Sequence, residues 1–244
     1  MKINTYIFVH EQQIILDFIR VGKFNNIENV IYVFVGNNDT SNIEKLDNVI
    51  ICNKLPINIE SYPKLTSFTG WYALWKNGLI NTCDYLNLFE YDVNLTGGFI
   101  DKIKSEMADI IGYILYNVHD FGYVGCPDWC ESICKAIKKH YDIDVCSFIS
   151  ALPLDHKCSM TSNHTLSKNC FEEYMKWVEP MIDDIKESAL SGHQIERSIS
   201  LFYLLNGLEY KIIPDILEHF NFDSHRTQNV DVDKITYHYY RLLR

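Results

Sequence analysis

The sequence predicts an α/β fold with a mostly parallel central sheet flanked by helices. In the first half, short runs of β-branched and aromatic residues alternate with segments whose apolar residues recur at helical spacing. The connections between successive runs are too long for hairpins, which favours parallel strands joined by helices. With 244 residues, of which 47% are hydrophobic, the chain is long enough to bury a sizeable core.

Four strands and two helices are predicted before the middle of the chain. The strands cover residues 4–10, 30–35, 49–52 and 85–89, the third being the weakest, and the helices cover residues 11–24 and 65–79. A turn-rich segment at residues 36–39 closes the second strand. In parallel sheets, ligands bind beyond the carboxyl ends of the strands. That rim is expected to bring together His10, Gly36, Asn37 and the segment at residues 90–92.

The second half predicts a less regular arrangement of strands and helices. The predicted strands cover residues 110–115, 145–150 and 210–213, a short extended piece covers residues 160–163, and helices cover residues 96–107, 168–188 and 193–206. A long loop at residues 117–130 is expected to lie over the same rim and to offer Trp129 as a platform for an acceptor. No repeat or linker interrupts the chain, so residues 1–244 are expected to form a single domain.

Charge and cysteine usage exclude several classes of protein. The net charge of −10, from 22 basic and 32 acidic residues, argues against a general nucleic-acid binder. The eight cysteines lack the tight Cys-x-x-Cys pairs of structural zinc sites and predict free thiols in a reducing cytosol. No leader and no apolar run near the roughly 18 residues of a membrane span is found. A cytoplasmic protein without an integral membrane segment is therefore expected.

Two carboxylates, Glu90 and Asp92, follow the strand at residues 85–89, in the stretch YLNLFEYDVNL. Acids spaced i, i+2 at a strand end point to the same side, and their oxygens suit Mn²⁺ or Mg²⁺. Such an ion could bridge the two phosphates of a nucleotide-sugar. Acids at strand ends are common, so the pair by itself is a weak signal.

The sequence around this pair resembles the GT-A-fold glycosyltransferases. The segments LTSFTGWYALWKN (residues 65–77) and DYLNLFEYD (residues 84–92) carry the likeness, which is closest to bacterial capsular-polysaccharide and large-DNA-virus types. GHQIER (residues 192–197) resembles the Glu-Arg helix that such proteins carry behind the acceptor site. Glu90 stands where the family's Asp-x-Asp has its first aspartate, so Asp92 is the safer metal ligand.

The resemblance implies a GT-A-like fold and a metal-dependent glycosyltransferase. Residues 1–116 would form a Rossmann-like half that binds the nucleotide-sugar, and residues 117–244 a mixed acceptor-side half. The donor would be a nucleotide-diphosphate sugar, UDP-sugar above all. A hexosyl or deoxyhexosyl group would pass to a hydroxyl of a glycan or another acceptor, with Mn²⁺ or Mg²⁺ as cofactor.

The candidate site residues follow from the rim and from the resemblance. His10, Gly36, Lys76, Glu90 and Tyr91 are candidates for binding the nucleotide-sugar, and Asp92 and His225 for binding the metal. Glu90 is expected to contact the ribose, or the metal through water. In many GT-A enzymes a C-terminal histidine completes the metal site, and His219 is the alternative to His225. Glu196 is the candidate catalytic base; alternatively, it forms an ion pair with Arg197 or Lys211.

Two other functions remain open at this point. A nucleotidyltransferase would be expected to have a Gly- and Lys/Arg-rich loop directly after the first strand, where this chain has His10-Glu-Gln-Gln13. A non-catalytic carbohydrate-binding protein on a transferase fold would bind UDP with Mn²⁺ without transferring a sugar.

Overall fold

Strands and helices alternate from the first residues onward in the computed structural model, which describes residues 1–120, 130–188 and 190–219. The strands are β1 (Ile3–Val9), β2 (Val30–Phe34), β3 (Val49–Ile51), β4 (Tyr85–Glu90), β5 (Val93–Leu95), β6 (Ile110–Gly112), β7 (Tyr116–Asn117), β8 (Lys157–Cys158), β9 (His164–Ser167), β10 (Tyr210–Ile212) and β11 (Leu217–His219). The helices are α1 (Gln12–Val21), α2 (Phe68–Lys76), α3 (Phe99–Ser105), α4 (Glu131–Tyr141), α5 (Val145–Ser150), α6 (Lys168–Val178), α7 (Ile182–Ile185) and α8 (Ser191–Asn206).

Seven of these strands form the central sheet, in the order β10-β6-β9-β4-β1-β2-β3. β1 pairs in parallel with β2 and β4, β2 with β3, and β10 with β6. Within this sheet β9 runs antiparallel to both of its neighbours, β4 and β6. The predicted fold class, a mostly parallel sheet flanked by helices, is confirmed.

Helices cover both faces of the sheet because its inner strands are apolar on both sides. All seven residues of β1 are buried. Tyr6 and Phe8 belong to one core together with residues of α2, α6 and α8, and Ile7 and Val9 belong to a second core together with residues of α1 and α3. Alternate residues of a strand point to opposite faces, which accounts for this division.

The polar strand β9 lies inside the sheet, although the sequence predicts only an extended piece that stops at residue 163. Its Thr165 hydroxyl donates to Asn87 Oδ1 (2.5 Å), and Asn87 Nδ2 donates to Thr5 Oγ1 (2.9 Å). Buried polar groups are tolerated when they are hydrogen-bonded. This network across three strands therefore lets a strand of low hydrophobicity occupy a central position.

The strand predicted at residues 145–150 is wrong, since this segment is helix α5. Asp144 caps the helix, accepting the backbone N–H of Ser147 at its Oδ1 (2.8 Å). An N-terminal cap of this kind stabilises a helix by about 1 kcal/mol. Among the residues of α5 only Val145 is buried, so the apolar run does not have the burial that a central strand requires.

The helices predicted at residues 96–107 and 168–188 are shorter in the structure, and glycine or proline accounts for each of these two differences. The helix predicted at residues 168–188 is interrupted at Glu179–Met181, which forms a 3₁₀ turn containing Pro180. The helix predicted at residues 96–107 begins only at Phe99, because Gly98 has a left-handed conformation with φ +78°. Proline lacks the N–H that continues a helix, and a positive φ is outside the helical region.

Strand β11 brings the chain back to the end of β4. It pairs antiparallel with β5, and His219 lies opposite Val93, the residue after Asp92. The central sheet contains strands from before and from after residue 116 in the sequence. The division of the chain at that residue into a donor-binding half and an acceptor-side half stays a prediction. Within the described ranges, no helix combines the length and the hydropathy needed to cross a membrane.

Candidate active site

A cleft of about 480 Å³ opens at the carboxyl ends of β1, β2 and β4, beside the first turn of α2. Its lining residues come from these three strand ends and from the segment that leads into α2. They are Phe8, His10, Val35, Gly36, Asn37, Asn38, Glu60, Pro63, Thr66, Ser67, Thr69, Glu90, Tyr91 and Asp92. All six residues predicted at the rim therefore lie in one cleft: His10, Gly36, Asn37, Glu90, Tyr91 and Asp92.

The end of β4 is held in place by contacts with two other segments of the chain. The backbone N–H of Glu90 donates to Asn163 Oδ1 at 2.9 Å, and Asn163 is fully buried. The Ser67 hydroxyl donates to Glu90 Oε1 at 3.2 Å. Because one contact fixes the backbone and the other the carboxylate, Glu90 has a defined orientation at the cleft wall.

Tyr91 separates the two acids and packs against His10. Their ring centroids lie 5.2 Å apart with an interplanar angle of 67°, an edge-to-face contact. Burial raises the pKa of the Tyr91 hydroxyl, and the nearby carboxylates of Asp92 and Glu90 raise it further. Tyr91 is therefore a neutral phenol at the centre of an acidic site, with the exposed His10 beside it.

The close approach of α2 to the sheet depends on Gly70. A Cβ at this position would lie 2.7 Å from the Phe8 ring and 2.9 Å from Val35 Cγ1. Heavy atoms in contact prefer about 3.5–4.0 Å, so a side chain here would push the helix away. This glycine, in the TGWYALWK segment, therefore sets the distance between α2 and the ends of β1 and β2 that line the cleft.

Glu60 forms the wall of the cleft at the end of β2. It is 2% exposed, and its Oε2 accepts the backbone N–H of Gly36. Asn37 Nδ2 donates to the Glu60 carbonyl at 3.0 Å. Burial raises the pKa of the Glu60 carboxyl, against the opposing effect of the Gly36 N–H. This acid therefore anchors the turn that follows β2.

The cleft is acidic, with the carboxyl groups of Glu60, Glu90 and Asp92 in its lining. No lysine or arginine is among the lining residues of the described chain, and His10 is the one residue there that can become cationic near neutral pH. An anionic ligand such as a diphosphate would be repelled unless a cation accompanied it. Clustered carboxylates are the hard oxygen ligands that Mg²⁺ and Mn²⁺ prefer, so the donor set fits such an ion.

The acid pair does not by itself form a complete metal site. In residues 1–120, 130–188 and 190–219, no three Asp, Glu, His or Cys side chains are grouped so that they could hold a metal. The oxygens of a diphosphate and water would have to supply the other ligands, as is usual for Mg²⁺. His225, predicted to complete the site, lies outside the described residues, as does Trp129.

Lys76 does not lie in the cleft. It ends α2, whose first turn borders the cleft, and nine residues of helix separate Lys76 from Ser67 by about 13 Å along the axis. Lys76 Nζ lies 2.6 Å from Glu179 Oε1 and 4.0 Å from the centroid of the Trp75 ring. The structure therefore gives this lysine a contact with the segment after α6, away from the other candidates.

Glu196 also lies outside the cleft lining, but its helix reaches the cleft wall. Gly192, in the first turn of α8, packs against Thr66, and a Cβ there would lie 2.9 Å from Thr66 Cγ2. Glu196 is one turn further on, with its Oε2 3.5 Å from His193 Nδ1. The buried Arg197 donates from Nη1 to the His193 carbonyl (2.8 Å). The Nζ of Lys211 lies 3.4 Å from Oε2 of Glu106.

The region around Glu196 is charged and partly buried. The Glu196 side chain is 21% exposed. Burial raises the pKa of the Tyr116 hydroxyl, the charge of Glu196 raises it further, and the charge of Arg197 opposes this. Glu196 and Arg197 therefore both lie within electrostatic range of Tyr116, next to where the predicted loop at residues 117–130 begins.

Sequence reasoning missed Glu60, Ser67 and Asn163 as parts of the site. Glu60 lies between β3 and α2, where no periodic pattern indicates that it faces a ligand, and Ser67 falls inside the helix predicted at residues 65–79. Asn163 falls inside the short extended piece predicted at residues 160–163. A serine directly before a helical pattern is a recognised capping signal and could have drawn attention to Ser67. Glu60 and Asn163 carry no comparable local signal.

Comparison with family models and with curated protein sequences gives no match. Among solved structures, the apo structure of the bifunctional glycosyltransferase WbbM superposes with a TM-score of 0.60 at 15% sequence identity. The match covers 91% of this chain and 46% of that one, so this chain spans less than half of the length of WbbM. At this level of identity the likeness concerns the backbone, and it shows that the chain has a glycosyltransferase fold.

Proposed function

We propose that the protein is a metal-dependent glycosyltransferase that moves a sugar from a nucleotide-diphosphate donor to a hydroxyl group of a glycan or another acceptor. The observation that carries the proposal is the acidic cleft containing Glu90 and Asp92 at the strand ends of a glycosyltransferase fold. We further propose a hexosyl or deoxyhexosyl donor linked to UDP, and a reaction that takes place in the cytoplasm.

The width of the cleft suits a nucleoside diphosphate. Strands β4, β1 and β2 are neighbours in that order, so the ends of β4 and β2 are two strand spacings, or about 10 Å, apart. In the proposed pose the base lies at the end of β2 near Gly36, the ribose crosses His10, and the diphosphate reaches Asp92. A base and its diphosphate are separated by a similar distance across the ribose.

In this proposal Asp92 binds the cation directly, and Glu90 binds it through water or contacts the ribose. A bound Mn²⁺ or Mg²⁺ would neutralise the diphosphate and assist its departure as the leaving group. Ser67 and Asn163 keep Glu90 in position.

On the acceptor side, Glu196 is proposed to orient or deprotonate the incoming hydroxyl. The acid lies in the second turn of α8. The first turn of the same helix packs behind Thr66 at the cleft wall. A base in this position would act on a hydroxyl approaching from the side of Tyr116.

A thermal-shift screen tests the proposal. The protein would be heated with UDP, GDP, CDP, ADP, dTDP and their sugar conjugates, with and without Mn²⁺. A ligand that binds only the folded state at a hundredfold excess over its Kd adds about 2.7 kcal/mol of stability. We expect stabilisation that requires both a nucleotide and Mn²⁺, followed by sugar transfer or slow hydrolysis of the same donor.

Other outcomes of the screen would identify another function. Binding of UDP and Mn²⁺ without transfer or hydrolysis of any donor would indicate a carbohydrate-binding protein on a transferase fold. Stabilisation by nucleoside triphosphates with release of pyrophosphate would indicate a nucleotidyltransferase. No stabilisation by any nucleotide in the presence of Mn²⁺ would contradict the proposal.

A further inference from the structure

Thr66, in the cleft lining, has a backbone conformation that glycine normally adopts. Its dihedral angles are φ +52° and ψ −132°, and those of Ser67 are φ −60° and ψ −22°. These values are close to those of the two central residues of a type II′ turn, whose first central position is usually glycine. A positive φ is an outlier for a β-branched residue, because Cβ clashes with the backbone there.

The surrounding structure holds this strained turn in place. The Ser191 hydroxyl, in the first turn of α8, donates to the Lys64 carbonyl at 3.1 Å. Thr69 donates to the Thr66 carbonyl both from its backbone N–H (3.2 Å) and from its hydroxyl (2.9 Å). Strained residues that are fixed by their surroundings in this way cluster at active sites and at positions that hold a ligand.

The fold does not require a threonine side chain at this position. A glycine would adopt the same turn without strain. The contact with Gly192 involves the Thr66 methyl group, which a valine would also supply. The Thr66 side chain is exposed and lines the cleft. Threonine therefore differs from these alternatives by a hydroxyl group at the cleft wall, which can both donate and accept a hydrogen bond.

Thr66 lies between the donor side and the acceptor side of the proposed reaction. The next residue, Ser67, donates to Glu90, on the side where the cation and the diphosphate are proposed to bind. On its other side Thr66 packs against Gly192, one turn before Glu196 in α8. In a transfer reaction the sugar occupies the space between the diphosphate and the acceptor hydroxyl. The Thr66 hydroxyl is therefore expected beside the transferred sugar and not beside the base.

We propose that the Thr66 hydroxyl forms a hydrogen bond with a hydroxyl group of the donor sugar, and that this contact is the reason for a threonine in a glycine-like turn. The inference rests on the proposed function, and it adds a residue that recognises the transferred group. A donor whose sugar lacks the contacted hydroxyl would bind more weakly, so Thr66 contributes to the choice of sugar.

Two substitutions separate the hydroxyl group from the shape of the side chain. Thr66→Val keeps the branched shape and removes the hydroxyl, whereas Thr66→Ser keeps the hydroxyl and removes the methyl group. Calorimetric titrations in Mn²⁺ would compare UDP-glucose, UDP-galactose, dTDP-glucose and GDP-mannose with UDP, dTDP and GDP. A neutral hydrogen bond accounts for roughly a twofold to tenfold change in affinity. We expect Thr66→Val to weaken the tightest-binding sugar nucleotide by that factor without affecting its diphosphate, and Thr66→Ser to preserve both affinities.

Donors that lack one hydroxyl group identify the partner of Thr66. Deoxy forms of the same sugar nucleotide, each without one sugar hydroxyl, would be titrated with the unmodified protein and with Thr66→Val. One deoxy form should bind the unmodified protein more weakly by the same factor and lose nothing further in Thr66→Val, because the two changes remove one contact. Thr66→Gly also lacks the hydroxyl and relieves the strain, so it provides the same comparison if Thr66→Val does not fold.

Thr82→Val is the matched control. Thr82 is an exposed threonine near the amino end of β4, whereas the cleft lies at the carboxyl ends of the strands. This substitution should leave all of the affinities unchanged.

Contrary results would separate the role of Thr66 from the proposed function. Unchanged binding of the sugar nucleotide in Thr66→Val, equal weakening of the sugar nucleotide and its diphosphate, or an equal loss in Thr66→Ser would overturn the role of Thr66. So would binding of a diphosphate without binding of any of the sugar nucleotides, or a further loss in Thr66→Val for every deoxy form. The absence of binding by every nucleotide with Mn²⁺ would overturn the transferase proposal as well.

Discussion

Asn163 Oδ1 accepts the backbone N–H of Glu90 at 2.9 Å, so the first acid of the Glu90–Asp92 pair is tied to the segment that enters β9. β9 is the antiparallel neighbour of β4. The position of Glu90 and Asp92 therefore depends on where β9, which comes from the second half of the chain, lies in the sheet. This contact links the stability of the sheet to the geometry of the proposed metal site.

Asn163→Ala should weaken both the fold and the binding of metal and nucleotide. The substitution leaves a part-buried Glu90 N–H without its acceptor, which costs about 1–3 kcal/mol. Urea unfolding would measure this loss, and titration of UDP with Mn²⁺ would show a higher Kd. Asn169→Ala, at an exposed position of α6, should change neither quantity. Unchanged stability in Asn163→Ala would show that this hydrogen bond is not important.

Asp92→Asn should remove Mn²⁺-dependent nucleotide binding and leave the fold intact. The amide cannot supply the negative charge that balances the cation, so the affinity should fall by roughly a hundredfold or more, beyond the usual effect of losing an outer-shell partner. Calorimetry with and without Mn²⁺ provides the measurement. Asp101→Asn, an exposed acid on α3, serves as the control. Metal-dependent affinity that survives in Asp92→Asn would exclude Asp92 as a ligand.

Glu196→Gln should reduce turnover by roughly a hundredfold or more, the usual contribution of a positioned base. The donor affinity should be retained, because Glu196 does not line the cleft. Initial rates at saturating donor, measured together with donor Kd values, separate the two effects. Glu209→Gln, at an exposed position after α8, should keep full activity. A variant that keeps its turnover but melts at lower temperature would identify Glu196 as a structural residue.

His164 should make the protein less stable in mild acid. The residue is fully buried, and burial lowers its pKa from 6.5 to about 4. The folded protein therefore binds fewer protons than the unfolded chain between these values. The corresponding stability is present above pH 6.5 and is lost as the pH falls towards 4.

A shift of this size corresponds to about 3 kcal/mol. Urea unfolding of the unmodified protein and of His164→Leu from pH 7 to pH 4 would measure it. The unmodified protein should lose about that much relative to the variant, which cannot titrate there. Parallel pH profiles would show that His164 titrates normally in the folded state.

Glu60→Gln should become more stable relative to the unmodified protein as the pH rises from 4 to 7. Burial raises the pKa of Glu60, so the folded state holds this proton more tightly than the unfolded chain. The resulting stability is present below the ordinary pKa of 4.5 and is lost as the pH rises through the raised value. Thermal unfolding at several pH values measures the difference. A relative loss of stability at pH 7 would mean that the charge itself stabilises the fold.

The sequence by itself determined the succession of strands and helices in the first half and the rim on which Glu90 and Asp92 lie. These features depend on the spacing of apolar residues and on turn residues, both of which can be read within a short stretch of sequence. His10, Gly36 and Tyr91 could be expected at the same rim because consecutive parallel strands end on one side of a sheet. Their roles in binding stay predictions.

Only the tertiary structure decided which distant residues complete the cleft. Asn163 reaches Glu90 because β9 inserts beside β4, and Glu60 reaches Gly36 because the segment after β3 folds back on the end of β2. Lys76 belongs to α2, the helix that borders the cleft, but it lies at the end of that helix away from the cleft. Pairing between remote segments is set by the packing of the whole core, and no local pattern records it. For the same reason a polar strand could occupy the middle of the sheet, with its hydrogen bonds supplied by strands far away in the chain.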